Sequence, residues 1–104
     1  MNPRTFVFHN DPGHAWLEVP MGMIIRFGLE EKISSCSYRN GETAYLEEDC
    51  DAPLFLRALE SAGVPYKIKE AYEENTPIRG YGRYTSALRL TPETVMELLN
   101  GRVA

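Results

Sequence analysis

Ile33-Ser34-Ser35-Cys36-Ser37-Tyr38-Arg39-Asn40-Gly41-Glu42-Thr43-Ala44-Tyr45-Leu46-Glu47-Glu48 is the stretch that decides the fold. Asn-Gly between two strand-like runs is the strongest short signal for a β-hairpin, because a type I′ turn needs positive φ at both central residues. The spacing predicts strands over Ile33–Arg39 and Glu42–Glu48 around Asn40-Gly41. A two-residue loop then sets Tyr38 opposite Thr43, Cys36 opposite Tyr45 and Ser35 opposite Leu46. Cys36, Tyr38, Thr43 and Tyr45 would share one face, and Ser35, Ser37, Ala44 and Leu46 the other.

Outward from this hairpin the chain punctuates itself with proline and glycine. Thr5–His9 is β-branched and aromatic, Asn10-Asp11-Pro12-Gly13 has turn chemistry, and His14–Val19 alternates. Trp16 and Glu18 fall on one face of that segment and Leu17 and Val19 on the other, so a first hairpin is expected. Pro20 can open a short helix that carries Met21, Ile24 and Ile25, with Gly28 as its C′ residue and Leu29 closing a Schellman motif. Asp51 or Ala52 caps a second helix, striped by Leu54, Phe55, Ala58, Leu59 and Ala62 and stopped by Gly63-Val64. Tyr66–Tyr72 alternates as a strand. Ile78–Tyr84 reads as a weaker strand interrupted by Gly80 and Gly82. Thr91-Pro92-Glu93 starts a third helix lined by Val95, Leu98 and Leu99.

The expectation is one α+β domain over residues 1–104: a largely antiparallel sheet of hairpins with two to three short helices on one face. Phe6, Phe8, Trp16, Phe27 and Phe55 are expected in the core.

The composition, 43% apolar and 25% charged over 104 residues, is that of a globular protein. No apolar run is long enough to span a membrane, and the first residues lack a secretory h-region. Cys36 and Cys50 are expected as reduced thiols in a cytoplasmic protein. A net charge of −4 argues against binding nucleic acid by neutralising phosphates.

Four groupings have possible chemistry. His9, Asp11, His14 and Glu18 surround the first turn and include metal-ligand types, though at no recognised ligand spacing. Cys36 or Cys50 with His14 would be a nucleophile and its base only if the fold brought them together. Glu47-Glu48-Asp49-Cys50-Asp51 places four carboxylates in five residues before a helix start. They suit a hard cation, a basic partner, mimicry of nucleic-acid phosphates, or simply the helix dipole. Ile78-Arg79-Gly80-Tyr81-Gly82-Arg83-Tyr84 interleaves cations and aromatics, the residue types of interface hot spots, with Arg79, Tyr81 and Arg83 expected on one strand face.

Asp11-Pro12-Gly13-His14-Ala15-Trp16-Leu17-Glu18-Val19, Lys32-Ile33-Ser34-Ser35-Cys36-Ser37-Tyr38 and Ala44-Tyr45-Leu46-Glu47-Glu48-Asp49-Cys50-Asp51 together resemble a family of small proteins of bacterial phages, plasmids and integrated elements. The family's first motif usually reads D-P-x-H-G-W-L-x-V and its hairpin K-I-S-x-Y-S-Y, from which Ala15 and Cys36 depart. Ile78, Arg79 and Tyr81 match a later Ile-Arg-x-Tyr motif. The likeness covers about residues 6 to 84 and implies a mobile-element accessory protein without implying an activity.

The resulting expectation is a non-catalytic binding protein with no cofactor and no metal. It would engage a protein partner through Glu47, Glu48, Asp49, Asp51, Arg79, Tyr81 and Arg83. The alternatives are an acidic nucleic-acid mimic that inhibits a host defence nuclease, and a small enzyme or metal-binding protein using His14 with Asp49 or Cys50.

Overall fold

The fold is α+β, seen in a computed structural model that describes residues 3–86 and 92–101. The elements run β1 (Arg4–Asn10), β2 (Ala15–Pro20), α1 (Met21–Arg26), β3 (Tyr38–Asn40), β4 (Thr43–Glu47), α2 (Ala52–Ser61), β5 (Tyr66–Tyr72), a 3₁₀ turn (Pro77–Gly80), β6 (Gly82–Arg83) and α3 (Pro92–Gly101). The six strands form one sheet in the order β5-β1-β2-β4-β3-β6. β1 and β5 pair in parallel, and every other neighbouring pair is antiparallel. The parallel pair follows from the α2 crossover, since a strand that returns after a helix lies parallel to its neighbour.

Both helix ends read from glycine are present. Gly28 (φ 69°) follows α1, with the Leu29 amide donating to the Ile24 carbonyl and the Gly28 amide to that of Ile25. Gly63 (φ 71°) follows α2 in the same way, with Val64 donating to Leu59 and Gly63 to Glu60. These are the two bonds of a Schellman motif, and they satisfy carbonyls that the helix leaves free.

The central hairpin forms with a shifted turn. Asn40 pairs with Thr43, Arg39 with Ala44 and Tyr38 with Tyr45, so the loop is Gly41-Glu42 rather than Asn40-Gly41. Gly41 has φ 62°, and among the described residues no non-glycine has positive φ. That fits a type II′ turn, which needs glycine only at its first central position. The shift moves each partner by two residues, so Tyr38, Thr43 and Tyr45 still share a face.

Residues 33–37 are not strand. Their backbone turns because Asp51 collects the Ser34 amide, the Ser34 hydroxyl and the Ser37 hydroxyl, and serine side chains bonded in this way compete with a sheet ladder. Cys36 therefore does not face Tyr45, nor Ser35 Leu46. Asp51 stands at the N-cap of α2, but its carboxylate serves this turn rather than the helix amides.

The core lies on one face of the sheet. Phe6, Leu17, Val19, Ala44 and Leu46 project from the strands onto Met21, Met23 and Ile24 of α1 and Phe55 and Leu59 of α2. Phe55 is fully buried and meets Phe6 and Phe27 edge-on at 5.4 and 6.2 Å, a preferred aromatic geometry. Phe8 and Phe27 are half-buried against this cluster. α3 lies against α1, and Arg4 reaches Glu97 at 2.9 Å. Val95 and Leu99 are exposed rather than packed. Thr91 and the side chain of Leu98 lie outside the described residues. Among the described residues no helix is long and apolar enough to cross a membrane.

Candidate functional site: a cleft on the second face of the sheet

Strand alternation sends Trp16, Glu18, Tyr38, Tyr45, Glu47 and Arg83 to the face opposite the core. β5 and β6 occupy opposite edges of the sheet, so the chain between them has to cross it. It does so over this second face. Thr76 accepts from the Ile78 amide and Pro77 opens the 3₁₀ turn, while Ile78 itself is buried. Arg79 then lies 5.2 Å above the Trp16 ring, and Tyr81 packs against Tyr45 at 5.2 Å between centroids. Arg79, Tyr81 and Arg83 therefore do not share one strand face as the sequence suggests. The glycines at 80 and 82 leave β6 only two residues long, and the three side chains are spread along a strap.

A cleft of about 390 Å³ opens beside this strap. Its aromatic wall is Trp16 and Tyr38, 6.1 Å apart and edge-on, and Arg83 covers the Tyr38 ring at 4.5 Å. Arg79 completes the cationic side. His14, Glu47, Asp49 and the two cysteines also line it, with the His14 ring 6.0 Å from that of Trp16.

Asp11 holds Arg79 in place. Its carboxylate accepts from Nε and Nη2 of Arg79 and from the backbone amides of Gly13 and His14. The side chain of Asp11 is 3% exposed and that of Arg79 is 48% exposed. The guanidinium thus has a buried anchored edge and a free edge facing the cleft. The Arg79 hydrogen bonds, helped by the two amides and opposed by desolvation, keep the Asp11 carboxyl far below its ordinary 3.8.

A group whose folded pKa is depressed stabilises the fold above its unfolded pKa and loses that contribution as pH falls. The resistance to unfolding is therefore expected to drop from about pH 4 downward. Urea midpoints collected down an acid series should fall less steeply for Asp11→Asn than for the natural chain. Equal slopes would show that the pair does not contribute.

The acidic run divides by direction. Glu47 is buried; its Oε1 accepts from the amides of Asp49 (2.9 Å) and Cys50 (3.1 Å), and its Oε2 lies 3.4 Å from Nδ1 of His14. Asp51 is buried on the serine turn. Glu48 is half-exposed and Asp49 exposed. Four carboxylates in sequence thus present one fully exposed group, Asp49.

Cys36 and Cys50 are free and exposed. The Cys36 thiol beside it, then desolvation and the neighbouring Glu47, push the Cys50 thiol up to about 11. A thiol kept protonated at neutral pH is a weak nucleophile.

The candidate cluster His9, Asp11, His14 and Glu18 does not converge. It separates into three pairs: His9 with Glu18 at 2.6 Å, Asp11 with Arg79, and His14 with Glu47. His14, Asp49 and Cys50, proposed from sequence as an enzyme or metal set, do share the cleft.

Trp16 was expected in the core. It is buried at 2% exposure, yet it belongs to the second face and lines the cleft, and its Nε1–H has no hydrogen-bond partner among the described residues. Its placement opposite Leu17 and Val19 was the available signal. Tyr38 carried the same signal from its own hairpin. The Asp11–Arg79 pair, separated by 68 positions, carried none.

Compared with family models, curated proteins and solved structures, the chain matches none of them.

Proposed function

We propose that this chain is a non-catalytic binding protein that recognises a protein partner through the second-face cleft. The observation that carries this reading is the convergence of four separate stretches on one concavity. The first turn contributes His14 and Trp16, the serine turn Cys36 and Tyr38, the acidic run Glu47, Asp49 and Cys50, and the Tyr/Arg strap Arg79 and Arg83.

The lining suits a segment with acidic and basic side chains in close succession. Guanidinium groups braced on aromatic faces bind a carboxylate, and the carboxylates of the same lining bind an amine or guanidinium. Trp, Tyr and Arg are also the residues in which interface binding energy concentrates. The resemblance to phage, plasmid and integrated-element proteins supports a partner drawn from the host or from the element itself. Mimicry of nucleic-acid phosphates is less well supported, because that needs a row of exposed charge and both Glu47 and Asp51 are buried with internal partners.

Three immobilised forms test the proposal against bacterial lysate: the natural chain, Arg83→Ala with Asp49→Ala, and Lys67→Ala with Lys69→Ala. The last pair sits exposed on the far edge strand β5. A protein retained by the natural chain and the edge variant but lost by the cleft variant is the expected result. Retention by all three would move recognition away from the cleft.

A further inference from the structure

We propose that His14, Glu47 and Glu48 form a binding site for a divalent transition-metal ion of the zinc class at the mouth of the cleft. One donor atom from each of the three residues lies within 4.8 Å of the others. Donors around a shared ion lie about 2.0–2.2 Å from it, so small rotations of the exposed His14 and half-exposed Glu48 close the site.

The folding chemistry explains the convergence. β2 and β4 pair antiparallel with Trp16 opposite Glu47, and the Glu48 amide donates to the Ala15 carbonyl at 3.0 Å. The end of β4 is thereby fixed against the first turn, two residues from the imidazole. Glu47 is already oriented as a ligand. Two backbone amides hold Oε1 and leave Oε2 toward His14, the kind of supporting contact that orients metal ligands. The His14 backbone is held as well, by the Asp11 carboxylate at 2.9 Å. Among the described residues neither Glu47 nor Glu48 has a lysine or arginine ion pair, so no protein cation already neutralises the pair.

One imidazole with two carboxylates selects a borderline ion over magnesium or calcium, which prefer an all-oxygen shell. Three protein ligands leave a coordination position open toward the cleft.

This inference does not depend on the partner reading, because the ion should bind the free chain. Chelator-treated protein is titrated calorimetrically with zinc chloride, and with cobalt chloride while its absorption is recorded. The expected result is one ion per chain. Affinity should fall roughly tenfold or more in His14→Ala and in Glu48→Gln, both with unchanged circular dichroism, and should be retained in Cys36→Ser with Cys50→Ser. The cobalt spectrum should then lack a thiolate charge-transfer band. No uptake, uptake insensitive to His14→Ala, or a thiolate band that disappears in the double serine variant would each overturn the assignment.

Discussion

Asp51→Ala is expected to lower the unfolding free energy by about 3 kcal/mol or more, from the cost of removing a carboxylate that accepts several buried hydrogen bonds. Asp51 is 4% exposed and receives the Ser34 amide and the Ser34 and Ser37 hydroxyls. Ser37 is itself fully buried and accepts from the Glu47 amide at 3.0 Å. Alanine would leave these donors without a partner and free residues 33–37 from the start of α2. Since Cys36 and Tyr38 stand at that turn, the cleft wall would loosen with it. Asp51→Asn should recover part of the loss, because an amide oxygen can still accept from Ser34. Chemical denaturation measures both variants, and a loss below about 1 kcal/mol for the alanine, no more than one ordinary hydrogen bond, would remove Asp51 from this role.

Trp16→Ala should cost about 3–5 kcal/mol, the range for truncating a buried large aromatic. It removes the ring that supports Arg79 and meets Tyr38. Trp16→Phe separates packing from recognition. It keeps an aromatic face under the guanidinium and removes an indole N–H that has no partner among the described residues, and a buried unpaired donor is itself destabilising by about 1–3 kcal/mol. The phenylalanine variant should therefore unfold much closer to the natural chain than the alanine variant does, with a cleft widened by the missing ring. Thermal melts of the two variants side by side check this. Equal losses would mean that the indole makes a contact not accounted for by its ring.

The parts of the fold legible in the sequence were those governed by local chemistry. Glycine at 28 and 63 ended helices, proline at 20 stood at a helix start, and alternation assigned Leu17 and Val19 to one face and Trp16 to the other. The order of elements followed from these signals. The errors lie where distant groups override local preference. Ser34 and Ser37 look like strand residues until a carboxylate at position 51 competes for them. Ile78–Tyr84 has strand composition, but β5 and β6 stand at opposite edges, so part of it is used in crossing the sheet. The same reasoning explains the candidate site. Both segments singled out for binding do line the cleft, yet only some members do so. Glu47, Asp49, Arg79 and Arg83 reach it, Asp51 turns inward to the serines, and Tyr81 packs on Tyr45. Arg79 is also part of the scaffold, since it neutralises a buried carboxylate, so its removal tests stability and binding at once.

Arg83 and Asp49 avoid that ambiguity, because both are exposed and both line the cleft. Arg83 gives up an exposed cation–π contact on Tyr38, about 0.5–1 kcal/mol, and one long exposed hydrogen bond from its Nη1 to the Ser35 carbonyl. The most direct test of the cleft as the recognition site is a calorimetric titration of the captured partner, once purified, into the natural chain and into Arg83→Ala with Asp49→Ala. Loss of a hot spot is worth ~2 kcal/mol, so the dissociation constant should rise roughly 30-fold or more while the melting temperature changes little. An unchanged dissociation constant in a variant that folds normally would contradict the account.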